Sequence, residues 1–124
     1  MEQLIAHLIG DYVLQTHDMA CRKTSSWFWA LTHAVCYTLP FLVIFRPSLA
    51  AAAVICLTHA LIDRYRLARF VIAWKNRLTS PHRTLVAATG FPAEVDPGLA
   101  FALLIVVDNT MHLCINYAAL RWLG

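Results

Sequence analysis

The sequence predicts an all-α protein, a polytopic transmembrane bundle of about four helices in a single domain of residues 1–124. The first helix is expected to be short, and an interfacial basic helix is expected after the third span. Three observations carry this prediction. Hydrophobic residues make up 60% of the chain and charged residues 14%, with a mean hydropathy of +0.60, outside the range of ordinary soluble domains. Long apolar segments follow one another with only short polar breaks between them. The lysines and arginines are concentrated in two of those breaks.

The first segment, from about Glu2 to Thr16, is short for a span, because roughly 20 helical residues are needed to cross the hydrocarbon core. The second, "SWFWALTHAVCYTLPFLVIF" from Ser26 to Phe45, is uncharged throughout and opens on an interfacial tryptophan pair, with a kink expected at Pro40. The third starts after Pro47 and changes character at Asp63. Beyond it, "DRYRLARFVIAWKNR" keeps helical apolar spacing while adding Arg64, Arg66, Arg69, Lys75 and Arg77, the pattern of a helix lying among headgroups. A turn-rich stretch, "LTSPHRTLVAATGFPAEVDPG", reads as the only long loop, and the last helix begins near Pro97.

Charge placement sets the expected orientation. With alternating helices, Arg22, Lys23, the arginines from Arg64 to Arg83 and Lys75 fall on one side, and Arg46 and Arg121 on the other. The positive-inside rule then places the loops around Arg22 and Arg64–Arg83 in the cytoplasm of a bacterium, in a multi-pass inner-membrane protein. The lipid bilayer is the expected partner, and a homo-oligomer is compatible with the small size. No tract of basic residues interleaved with aromatics marks nucleic-acid binding, so no nucleic acid is expected. The four cysteines form no CxxC pair and read as small reduced hydrophobes. No removable signal peptide is expected at Met-Glu-Gln.

Within the apolar segments the ionisable residues recur at helical spacing. His7 with Asp11, His59 with Asp63, and Asp108 with His112 are each four residues apart and therefore share a helix face. His33 and Tyr37 repeat the spacing in the second segment, and Gln3, Gln15 and Asn116 extend the polar stripes. At about 1.5 Å per residue, His33, His59, Asp63, Asp11 and Asp108 reach similar depths, between the midplane and the cytoplasmic face. A carboxylate at that depth costs several kcal/mol and needs a partner, a metal or a water-filled cavity.

Imidazole and carboxylate are ligands for divalent metals of the Zn, Mn or Fe class. The metal ligands expected are His7, Asp11, His33, His59, Asp63, Asp108 and His112. Gln15, Tyr37, Asn109 and Asn116 would support them, and Arg64 and Arg66 would contact a headgroup or phosphate. Such a centre suits a metal-dependent hydrolase of a lipid-linked or phosphorylated substrate, with Asp63 or Asp11 as the catalytic base. Two alternatives stay open: a purely structural polar network between helices, and a proton or ion pathway. Both would make the chain a non-enzymatic membrane protein, such as an envelope modulator.

Four motifs, "AHLIGDYVLQ", "LTHAVCYTL", "THALID" and "DNTMHL", resemble in order those of the domain of unknown function 3307 family, small membrane proteins of bacteria and their phages. The resemblance runs from His7 to His112. It implies no activity, but it singles out His7, Asp11, Gln15, His33, His59, Asp63, Asp108 and His112. One departure falls in the last motif, where Asn109 stands in place of the family's glutamine.

Overall fold

A computed structural model describes residues 1–124. It is all-helical, without a strand, and its residues group into two compact units: Met1–Tyr65 with His112–Gly124, and Arg66–Met111.

In the first unit, α1 (Glu2–Leu8) continues into a π-helical turn, Ile9–Val13, closed by a Leu14 N–H to Ile9 C=O bond of 2.9 Å. The turn buries Gly10 and Asp11. Gly10 is required there: a Cβ would stand 2.6 Å from the Tyr37 carbonyl oxygen and 3.0 Å from its Cα. The first apolar segment is therefore not one helix to Thr16. It breaks after Val13, because Thr16 caps a new short helix, α2 (His17–Arg22), by accepting the Met19 N–H at 3.4 Å.

Helix α3 (Trp27–Phe45) keeps Pro40 within its length and ends at Arg46, whose φ of 48° leaves the helical region just before Pro47. Ser48 then caps α4 (Leu49–Tyr65) through the Ala51 N–H at 3.1 Å. The pair α3 and α4 packs Tyr37, Phe41 and Ile55 with Ala6, Ala51 and Ala119, and the alanines allow close helix approach. Thr32, Thr38 and Thr58 return their hydroxyls to carbonyls one turn back, so these threonines present no unmet hydroxyl to the apolar surroundings.

The third segment does not run on into the basic helix. Arg66 adopts a φ of 52°, and α5 (Ala68–Thr79) begins anew in the second unit. Its inner face, Ala68 and Ile72, packs on Phe91, Ala100 and Leu104. The segment expected to be a plain loop is ordered. Leu85 and Pro92 pair across a turn, and the Gly90 N–H reaches the Val86 carbonyl at 2.7 Å. Gly90 has φ 78°, and a Cβ on it would meet the Arg69 carbonyl oxygen at 2.3 Å. Asn76 donates to the Gly90 carbonyl at 3.0 Å, tying the turn to α5. Asp96 caps α6 (Pro97–Trp122) through the Leu99 N–H, with Pro97 in the first turn. Residues 97–111 of α6 belong to the second unit and 112–122 to the first.

Only α3 and α6 are long and apolar enough to cross a bilayer. Of the about four spans expected, these two are supported; α1 is cut short by the π turn, and α4 has 17 residues, the short end of the spanning range.

A buried histidine and aspartate cluster

Four elements of the first unit deliver polar side chains to one place. The π turn brings Asp11, α3 brings His33 and Tyr37, α4 brings His59 and Asp63, and the end of α6 brings His112 and Asn116. His7 joins them from α1, one turn before Asp11. All are buried.

The two carboxylates form the centre. His33 donates from Nε2 to Asp11 Oδ1 at 3.1 Å, and the same nitrogen lies 3.3 Å from Asp63 Oδ2. His59 Nε2 lies 3.3 Å from Asp63 Oδ2 and 3.8 Å from Asp11 Oδ1. His112 Nε2 is 3.5 Å from Asp63 Oδ1, and His7 Nε2 is 3.9 Å from Asp11 Oδ2. Four imidazoles thus present Nε2 to two carboxylates. One donor atom from each of Asp11, His33, His59 and Asp63 falls within 4.8 Å of the others, close enough to surround a single cation.

A ring of supporting contacts orients the imidazoles. Tyr37 Oη is 2.7 Å from His7 Nδ1 and accepts from Asn116 Nδ2 at 2.5 Å. The Tyr37 ring stacks on His59 at a centroid distance of 3.7 Å, and His59 lies 4.2 Å from the His112 ring. Holding the far nitrogen fixes the tautomer and aim of His7, whereas Nδ1 of His33 and of His59 is buried without a hydrogen-bond partner, and packing alone aims those two rings. Gln3 donates to the Leu113 carbonyl at 2.6 Å, bracing α1 against the end of α6.

One member escaped the sequence analysis, which assigned Lys23 only to the charged loop. Its ammonium lies 2.8 Å from Asp63 Oδ2, 3.3 Å from His33 Nε2 and 3.9 Å from Asp11 Oδ1. A lysine in a polar loop carries no periodic signal, and its long stem lets the ammonium reach inward from that loop. Two buried carboxylates would, however, have called for a cation nearby.

Of the other predicted residues, Asp108 keeps its expected place on α6, one helical turn before His112. Asp108 and Asn109 lie half-buried on α6 in the second unit. Gln15 follows the π turn and is half-buried, with Oε1 out of contact with water. Arg64 is already engaged: it donates to the Thr24 carbonyl at 2.6 Å and stacks over Trp27 and Tyr65. Arg66 opens the second unit in a left-handed conformation. All four cysteines are free.

Fold and cluster together define an all-helical protein with a buried His/Asp centre of composition suited to a metal ion. The family model described as "Protein of unknown function (DUF3307)" matches residues 1–121, and the chain belongs to that family. No curated protein and no solved structure matches it.

Proposed function

We propose that this chain is an integral membrane protein whose buried centre binds a divalent metal through Asp11, His33, His59 and Asp63. The convergence of their four donor atoms within 4.8 Å carries the reading. It rests on chemistry as well as distance: two carboxylates and two imidazoles make a ligand set typical of Zn and its neighbours. His7 and His112, each aimed at one of the same carboxylates, complete the surround.

Membrane insertion is supported by what α3 and α6 expose. Only 39% of the apolar window of α3 and 17% of that of α6 is buried, whereas the core helix of a soluble protein is mostly buried. Val43, Phe28 and Val106 are among the side chains left outside, a surface that lipid would cover. The basic loops face the bacterial cytoplasm in this reading, with α1 and α4 held against the spanning helices.

The reaction class that fits is hydrolysis of a lipid-linked or phosphorylated substrate. A bound divalent ion would supply Lewis acidity toward a phosphoryl or acyl oxygen. The chain's own contribution is to hold that ion, exclude bulk water by burial, and take up a proton at a carboxylate. Asp11, the more exposed of the two aspartates, is the better placed proton acceptor.

A second reading has one specific observation in its favour. The Lys23 ammonium already supplies positive charge to both carboxylates, so the cluster can stand as a structural ion-pair network. Metal analysis by mass spectrometry on detergent-purified protein, free of any histidine tag, separates the two. About one metal per chain, lost in His59→Ala while the protein stays helical, is expected for a metal centre. No metal after growth and dialysis with Zn²⁺, Mn²⁺ and Fe²⁺ would leave the structural network.

A further inference from the structure

The position of Lys23 bears on how any cation reaches the cluster. Its backbone is fixed at the end of α2 by an N–H bond to the Met19 carbonyl at 3.0 Å, while its neighbour Arg22 is exposed. Side-chain exposure then grades across the site. His7 and His33 are 0% exposed, His59 1%, His112 2%, Asp63 4% and Asp11 8%, whereas Lys23 is 18% exposed. Of the charged and imidazole side chains gathered here, Lys23 is therefore the most exposed, while its ammonium reaches both aspartates.

Charge balance adds a second constraint. Two carboxylates and one ammonium sum to −1, and a divalent ion added to them would bring the buried set to +1. With the ammonium outside, the two carboxylates and the ion sum to zero, the cheapest state in a medium of low dielectric. Space agrees with charge. The ammonium sits within 4 Å of Asp63, His33 and Asp11, three of the four groups that would ligate the ion. A divalent ion held by those groups would compete with the ammonium for the same carboxylate oxygens and be repelled by its charge.

Building on the metal reading above, we infer that Lys23 is an exchangeable internal cation that closes the mouth of the centre. A divalent ion enters along its stem, takes its place between Asp11 and Asp63, and sends the ammonium out to the surface. The exchange breaks the Lys23–Asp63 and Lys23–Asp11 ion pairs and forms metal–ligand contacts, with no covalent or redox step. It makes occupancy of the centre readable on the outside, as the position of a lysine.

Two measurements test this on the full chain in detergent. The first is calorimetric titration with Zn²⁺ and with Mn²⁺ of wild type, Lys23→Met and Lys23→Arg. Methionine keeps the stem and removes the charge, so at least a tenfold tighter Kd is expected, with little gain for arginine. The second is amine acylation read by peptide mass spectrometry, where Lys75, the only other lysine and an exposed one, serves as the internal standard. Labelling of Lys23 relative to Lys75 is expected to rise severalfold on adding metal. Equal or weaker metal binding by Lys23→Met, with the variant as helical as wild type, would overturn the exchange while leaving the metal centre intact. If Lys23→Met does not stay helical, unchanged Lys23 labelling in metal-loaded wild type would overturn it on its own. Binding by Lys23→Met alone would support the lysine as the cation of the site and overturn a resident metal in wild type. Absence of binding in every form would overturn both.

Discussion

The two units of this chain bury different things. The first surrounds two aspartates, four histidines, a tyrosine and an asparagine with helices rich in alanine. The second closes an apolar core of Ile72, Phe91, Ala100 and Leu104 beneath a basic amphipathic helix. An apolar core tolerates approximate packing, since its contacts have no direction. A buried polar cluster does not, because each group depends on specific partners and an unpaired charge is costly. The comparison therefore predicts which substitutions hurt most and through which unit.

The largest effect is expected at Asp63, which pairs with Lys23, His33, His59 and His112. Asp63→Ala removes the buried carboxylate to which His33, His59, His112 and Lys23 are all paired and should cost about 3–5 kcal/mol, the range for removing one side of a buried ion pair. Denaturant-titrated circular dichroism measures it, and a loss below about 1 kcal/mol would show that the cluster is not a network. In the second unit, Ile72→Ala should cost about 3 kcal/mol through the cavity it leaves. Hydrogen exchange should localise that loss to α5 and the 85–92 turn and leave the His/Asp cluster protected.

Gly10→Ala sharpens the contrast, because the side chain it adds is small and apolar. Its methyl would press on the backbone of Tyr37, which cannot swing aside, so about 2–3 kcal/mol and a displaced Asp11 are expected. The readout is metal content together with stability, and a variant normal in both would show that the π turn can shift freely. Tyr37→Phe removes only the hydroxyl between His7 and Asn116 and should cost about 1–2 kcal/mol, as for a lost buried hydrogen bond. The smallest effect is expected at Asp18→Ala. Its pair with Arg22 spans 3.6 Å on the surface, and less than about 0.5 kcal/mol should be lost, a control that places the other values.

Much of the cluster was legible before any fold was known. The four-residue spacing of His7 with Asp11 and of His59 with Asp63 marks a shared face on any helix, and both pairs are in ion-pair contact. His33 and Tyr37 followed from the same period on α3, and both line the cluster. Less legible were the breaks. Nothing in "LIGDYVLQ" distinguishes a π turn from an α-helix, because the two differ by one hydrogen-bond step that tertiary packing against Tyr37 selects. The basic segment had the right amphipathic pattern for α5, but the turn at Arg66 is made by a residue that rarely adopts positive φ and so gives no warning.

By itself, then, the sequence determined the helical class, the apolar composition and the residue types that a polar centre would use. Each of these depends on local period or on bulk transfer energy, which add along the chain. Only the tertiary structure decided that Lys23 reaches Asp63, that Tyr37 bridges His7 and Asn116, and that Gly10 admits the turn carrying Asp11. Those contacts join residues from 27 positions apart, Gly10 and Tyr37, to 79, Tyr37 and Asn116, or place a loop side chain inside a bundle, and no periodicity encodes them. They depend on which helix faces meet, a choice made by packing the whole unit at once.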